Sequence, residues 1–250
     1  MTLLTARRLT AVAAAAALSI AAALPAQAAF LNHHFTFQTG VVDAVNPLVV
    51  GALVGNANVA GGVLNLDGSG DFVQFTTALV PNAGSYSVAL FAYGNGPQAG
   101  YSEMISQGTS GGPGFYLGTD SNGQSMRASD AWINTGATFG APNAWNHYAL
   151  VVNAGLATST LYINGSVVAS VPFAITTSIA GTPTRFGAQF APYGEFFNGA
   201  LDDVRIYDGT LTAAEVAALA NPVPEPGTAL MLAAGLAGLA RLRSRRARGD

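Results

Sequence analysis

The chain has 250 residues, half of them hydrophobic and only 9% charged, with ten Arg, no Lys and no Cys. Such apolar content excludes a mainly disordered chain, and the missing Cys excludes a disulfide scaffold, a thiol nucleophile and any Cys-ligated metal. The formal net charge of −3 hides a split: residues 29–221 keep three Arg against eleven carboxylates, a formal −8, while seven Arg sit at the two ends. An acidic middle without clustered cations excludes a nucleic-acid partner, because phosphate contacts need Lys or Arg.

Residues 1–28 carry Arg7 and Arg8, an apolar run from Leu9 to Leu24, and then Pro25 and Ala26-Gln27-Ala28. A charged start, a short greasy middle and small residues at the cut site predict a secretory signal peptide and export of the remaining chain. A Cys-free exported chain must then hold together by its core alone.

From Phe30 onwards, short alternating segments are separated by turn residues every eight to twelve positions, which predicts strands. Phe72–Phe75, Tyr86–Phe91, Tyr148–Val152 and Val204–Tyr207 are the clearest. Thr160–Ile163 and Ser166–Val168 flank Asn164-Gly165, the pair that suits a two-residue type I′ hairpin turn because both positions need positive φ. One helix is predicted after Thr212, with Glu215 three residues on completing a capping box. Nothing in composition or charge divides residues 29–221. Many evenly spaced strands with one late helix predict an all-β, two-sheet antiparallel jelly-roll sandwich.

Beyond Asn221 the chain reads Pro222-Val223-Pro224-Glu225-Pro226-Gly227, then turns apolar from Thr228 to Ala240 and ends in five Arg from Arg241 to Arg248. A helix over Thr228–Ala240 is about 20 Å long, a short transmembrane helix at best against a hydrocarbon core of about 30 Å. The Arg cluster would stay cytoplasmic and leave residues 29–221 outside. Pro224-Glu225-Pro226, a short apolar helix and terminal Arg together resemble the PEP-CTERM sorting signal. The resemblance implies transient inner-membrane insertion, recognition by an exosortase-type membrane protease and removal of the tail near the triplet.

Five elements of the middle segment also carry a resemblance. They are Leu66-Asp67-Gly68-Ser69-Gly70-Asp71-Phe72-Val73, the strand Tyr86 to Phe91, Trp145-Asn146-His147-Tyr148-Ala149-Leu150-Val151, Leu161-Tyr162-Ile163-Asn164-Gly165, and Gly199 to Tyr207 followed by Leu211 to Val216. In this order they resemble a laminin-G-like domain of the concanavalin A-like lectin/glucanase type. The resemblance implies two curved antiparallel sheets with a short terminal helix. It also implies a structural calcium ion between the chain's start and the closing strand, at Asp43 and Asp202, with Asp203 as the weaker choice. The rival reading has Asp202 hydrogen-bonding backbone after Gly199.

Catalytic motifs fare poorly. Gly108-Thr109-Ser110-Gly111-Gly112 fits G-x-S-x-G, but a nucleophile elbow needs a helix after it, and strand-like Phe115-Tyr116-Leu117 stands there instead. Gly94 to Ala99 fits a loose dinucleotide pattern without the succeeding helix, and Pro97 removes a donor where phosphate would sit. Glycoside hydrolysis needs two carboxylates flanking one bond. Glu103, Glu195 and Glu215 have no carboxylate two positions away, and adjacent Asp202 and Asp203 are expected on opposite faces of a strand. His147 reads as a core imidazole hydrogen-bonded inside the sandwich, and His33 and His34 as neighbours straddling a strand, a poor metal pair. Trp132 and Tyr193 fall in loop-like stretches, where their rings either stack on sugar faces or pack loop against core.

The expectation is therefore three segments: a signal peptide at 1–28, a sandwich domain at 29–221 and a sorting signal at 222–250. The middle is expected to be a non-enzymatic module at the cell surface or in the extracellular matrix, with an exopolysaccharide or other glycan as partner. A glucanase-like hydrolase and a purely structural surface protein are the alternatives.

Overall fold

A computed structural model describes residues 29–108, 114–128, 134–172, 183–190 and 194–221. The expected signal peptide at 1–28, the expected sorting signal at 222–250, Trp132 and Tyr193 lie outside the described residues. Within them, two antiparallel sheets and one short helix form the sandwich expected from the alternation.

The first sheet runs, edge to edge, through β13 (Ser166–Val171), β12 (Thr158–Ile163), β11 (Trp145–Asn153), β6 (Tyr86–Gly94), β15 (Asn198–Asp208), β4 (Val63–Asp67) and β3 (Asn58–Ala60); β1 (Phe30–Phe35) also pairs with β15. The second runs through β10 (Asn134–Thr138), β9 (Ser125–Ala128), β8 (Gly114–Thr119), β7 (Glu103–Gly108), β14 (Thr184–Phe186), β5 (Phe72–Gln74) and β2 (Ala52–Val54). Between them lie Val88, Leu90, Tyr148, Leu150, Leu201 and Ile206 from one inner face and Val73, Ile105, Phe115, Leu117, Met126 and Phe186 from the other. Phe35, Phe75 and Phe186 meet edge to face with centroids 4.8–5.3 Å apart, the geometry that ring quadrupoles favour.

The local signals are realised at the positions that carry them. Ile163 pairs with Ser166 across Asn164 (φ 50) and Gly165 (φ 78), the two-residue turn with both φ positive. Helix α1 (Ala213–Ala220) starts at Thr212, whose Oγ1 accepts from Glu215 N at 3.2 Å while Glu215 Oε2 accepts from Thr212 N at 2.7 Å. Its buried Val216 caps a small second cluster of Ala89, Ala149, Val151, Tyr162, Tyr207 and Leu211, so the helix covers one end of the first sheet's outer face. Gly108 pairs with Gly114 where β7 meets β8, so a strand and not a helix starts two residues after the G-x-S-x-G stretch, where a nucleophile elbow needs a helix.

One expectation fails at β15. Strict alternation after buried Leu201 would send Asp203 into the core. Instead the register shifts between Asp202 and Arg205, Asp203 takes φ 49, and Val204 turns inward. The extra residue is a β-bulge that keeps both carboxylates out of the core. It also marks where β15 exchanges its neighbour, from β4 along Asn198–Leu201 to β1 along Val204–Asp208.

Candidate functional site

Away from α1, the outer face of the first sheet is open. Residues paired across neighbouring strands share a face. One such row crosses five strands: Asn58 pairs with Asn65, Asn65 with Ala200, Ala200 with Tyr93, and Tyr93 with Trp145. The lone methyl of Ala200 between Asn65 and Tyr93 leaves a depression. Asn198 pairs with Asp67 in the parallel row, and the loop residues Asn56, Asp71 and Asn95 complete a cavity of about 480 Å³. That volume lies within the ~300–1,000 Å³ usual for small-molecule sites.

The walls are held from below. Asp71, 1% exposed, accepts from Asn56 N at 2.7 Å and Asp67 N at 3.1 Å. Asp67 accepts from Ser69 N at 2.7 Å and Asn56 Nδ2 at 3.0 Å. The Asn56 amide first, and then the Ser69 N–H, hold the Asp67 carboxyl below the usual carboxylate range. Opposite, Gln98 grips the backbone of Asn198 on both sides, donating to its carbonyl at 2.8 Å and accepting from its N–H at 3.0 Å. At one end the Tyr93 ring meets Trp145 with centroids 5.8 Å apart, and Trp145 stays 43% exposed. The lining combines amides, two carboxylates and an aromatic ring, with no Arg or His among the described residues.

Towards the helix, an ionic network gathers around β1. His33 Nδ1 lies 2.6 Å from Asp43 Oδ2, while Asp43 Oδ1 accepts from His34 N and Val45 N, each at 2.9 Å. The His34 ring turns the other way, its Nε2 2.5 Å from Asp203 Oδ1, which also accepts from Arg205 Nε at 3.0 Å. Burial alone would raise the Asp203 carboxyl, but the His34 hydrogen bond and the Arg205 charge more than offset it and hold it low. Asp202, half-buried, is shifted up by desolvation and accepts from Asp203 N at 2.7 Å. His147 is 2% exposed, edge-on to Phe91, and burial pushes its imidazole down to about 4. Its Nδ1 has no hydrogen-bond partner among the described residues, contrary to the hydrogen-bonded core imidazole expected.

The second sheet buries a triad. Arg127 on β9 ion-pairs with Glu103 on β7 and reaches Glu195 at 3.3 Å, with its guanidinium over the rings of Tyr101 and Tyr116. Glu195 belongs to the segment after β14 that lies across this sheet, where Phe190 packs on Tyr116 and Phe196 on Phe72. Desolvation raises the Glu195 carboxyl against the opposing pull of Arg127. These two carboxylates, 92 positions apart, are the paired acids that sequence spacing did not reveal. Both pair with the single guanidinium of Arg127, whose one charge offsets only one of them.

The sequence profile of the concanavalin A-like lectin/glucanase superfamily matches residues 67–217, more than half of the chain. The chain belongs to this superfamily. A second profile, the PEP-CTERM protein-sorting motif, matches residues 222–246. No curated protein matches the chain. Among solved structures, domain 4 of AbnA, a GH43 extracellular arabinanase from Geobacillus stearothermophilus in complex with arabinotriose, superposes with a TM-score of 0.64 at 23% identity, covering 78% of this chain and all of that one. The binding domain of botulinum neurotoxin serotype D/C superposes at TM-score 0.58 and 16% identity, and that of Paraclostridial Mosquitocidal Protein 1 at 0.57 and 17%; this chain spans about half of each. At these identities the likeness is one of fold.

For a member of this superfamily, the calcium expectation at Asp43, Asp202 and Asp203 meets a specific geometry. Asp43 accepts from the His34 N–H, Asp203 lies against the His34 ring and accepts from Arg205 Nε, and Asp202 accepts from Asp203 N. No group of three or more His, Asp or Glu among the described residues is arranged to hold a metal. A calcium ion at Asp43, Asp202 and Asp203 would have to displace these protein partners. The groove itself was missed by sequence reading, although its wall Asp67–Asp71 is the very stretch that carries the family resemblance.

Proposed function

We propose that this protein is an exported, non-enzymatic carbohydrate-binding module that holds a glycan in the groove over Ala200, and that an exosortase-type membrane protease sorts it through the tail bearing Pro224-Glu225-Pro226. The observation that carries the binding reading is the row Asn58–Asn65–Ala200–Tyr93–Trp145: amides that both donate and accept, beside an aromatic face, suit sugar hydroxyls and C–H faces. The arabinotriose held by AbnA domain 4 supports an oligosaccharide as the ligand class. The PEP-CTERM match supports export, transient inner-membrane insertion and surface delivery. A glycan array probed with the full-length protein and with Tyr93→Ala tests the reading. Signal that depends on Tyr93 supports it, and a blank array favours a purely structural surface protein.

A glucanase-like reading has one observation in its favour, the convergence of Glu103 and Glu195. Hydrolysis requires an ionised base or nucleophile and a protonated acid on opposite sides of a bond, and Arg127 occupies that space. Release of reducing ends from β-glucan that disappears in Glu103→Gln would restore the enzyme reading.

A further inference from the structure

We propose that the groove selects an uncharged oligosaccharide lying across the strands and rejects glycans that carry carboxylates. This rests on the glycan reading above and adds the ligand's charge and direction.

The direction comes from the register. The row from Asn58 to Trp145 crosses four inter-strand gaps, and at ~4.8 Å per gap it is ~19 Å long, more than one sugar ring. Its polar groups lie at the β3 and β4 end and its rings at the β6 and β11 end. Ala200 forms the low point between them. A chain laid along this row meets Asn58 and Asn65 with its hydroxyls and Tyr93 with a ring face.

The charge comes from the lining. Asp67 is exposed, its ionised form is stabilised by Asn56 and Ser69, and the Asp71 carboxylate accepts from its backbone N–H. Among the described residues, no cation lines the cavity to answer an anionic ligand. Among the described residues, the Arg205 guanidinium on the same strand as Ala200 is already engaged by Asp203. A uronate or sialate carboxylate entering the groove therefore meets like charge at short range, within a domain whose sequence is itself acidic. The NH2 group of Asn58 is turned to nearby backbone and that of Asn65 to Asn58 and backbone, so a sugar hydroxyl can donate to their amide oxygens and an ionised carboxylate cannot.

The test uses full-length protein and matched pairs of oligosaccharides of equal length: galactan against polygalacturonate fragments, and cello-oligosaccharides against their glucuronate counterparts. Titration calorimetry at low and high salt reads the affinities. The expected result is at least tenfold tighter binding of a neutral member than of its uronate partner, with the gap narrowing at high salt. Asn58→Lys, at an exposed edge position, should shift the neutral-to-uronate ratio towards the uronate severalfold. Asp67→Asn should do the same, with circular dichroism confirming the fold because Asp67 also ties its loop. Equal or tighter uronate binding, or a ratio unmoved by both substitutions, overturns the inference while leaving the glycan reading intact. Ala200→Met, which fills the low point, should abolish binding of the neutral member. Failure of every member of the panel to bind overturns the glycan reading itself.

Discussion

The imidazole of His34 stands 2.5 Å from the Asp203 carboxylate, while the His34 amide donates to Asp43, so one residue of the first strand ties together two acids from distant parts of the chain. Asp203 offers that oxygen because the bulge holds it at φ 49, a conformation Asn tolerates and β-branched or bulky residues do not. Asp203→Ala should therefore cost about 2 kcal/mol, from the lost hydrogen bonds and the strained backbone together. Asp203→Asn, which keeps the backbone preference, should cost less. Chemical denaturation of the two variants checks the order.

The same geometry predicts the response to calcium. With Asp43 saturated by two N–H groups and an imidazole, and Asp203 shared by His34 and Arg205, adding millimolar calcium or chelator should leave the melting temperature unchanged. A rise of several degrees on adding calcium would show that the ion displaces His34.

How legible these features were depends on whether the cause is local. The Asn164-Gly165 turn and the Thr212–Glu215 capping box involve residues at most three apart, and both stand in the structure where the sequence put them. The bulge at Asp203 was not legible, because it answers a change of neighbour from β4 to β1 that only the assembled sheet contains. The groove draws its row from five strands whose register is a tertiary property. Asn65, set between Leu64 and Leu66, announces only an outward-facing position. Glu103 and Glu195 meet through a segment folded back over the second sheet, which no spacing rule encodes.

His147 sets a pH dependence. Burial holds its folded pKa at about 4, below the ordinary 6.5, so the unfolded chain binds the proton first as pH falls. Stability is thus fully present above about pH 6.5 and is lost towards pH 4, by on the order of 2–3 kcal/mol. Glu195 and Asp202, whose carboxyls are raised by desolvation, act in the opposite sense and partly mask the slope. Urea titrations of wild type and His147→Gln across this range separate the contributions, and the variant should lose the His147 part of the decline.

The Arg127 triad predicts strong asymmetry between removing the cation and removing the cluster. Arg127→Met leaves Glu103, fully buried, without its counter-charge, and should cost about 3–5 kcal/mol. Adding Glu103→Gln to that variant should recover part of the loss, since Glu195 is partly exposed and bears less desolvation. A double-mutant cycle by equilibrium denaturation reads the coupling. Additive losses would mean that the triad acts as three separate packing contacts.

Tyr93 and Trp145 should differ in what they contribute to ligand binding. Both stand on the outer face, but the Tyr93 ring lines the cavity beside Ala200, whereas Trp145 backs it from the rim and remains 43% exposed. Removing the ring that a sugar contacts forfeits the stacking itself, so Tyr93→Ala should weaken binding of a neutral oligosaccharide about tenfold, close to the upper end of what an aromatic pair contributes. Trp145→Ala acts only by freeing the Tyr93 ring to move, so its effect should be about threefold and should appear mainly as faster dissociation. Neither ring belongs to the inner core, and both variants should melt near the wild type. Surface-resonance traces on one immobilised glycan distinguish the two roles. If Trp145→Ala costs more than Tyr93→Ala, the sugar rides on the exposed indole at the rim and the centre of the site moves from Ala200 towards β11.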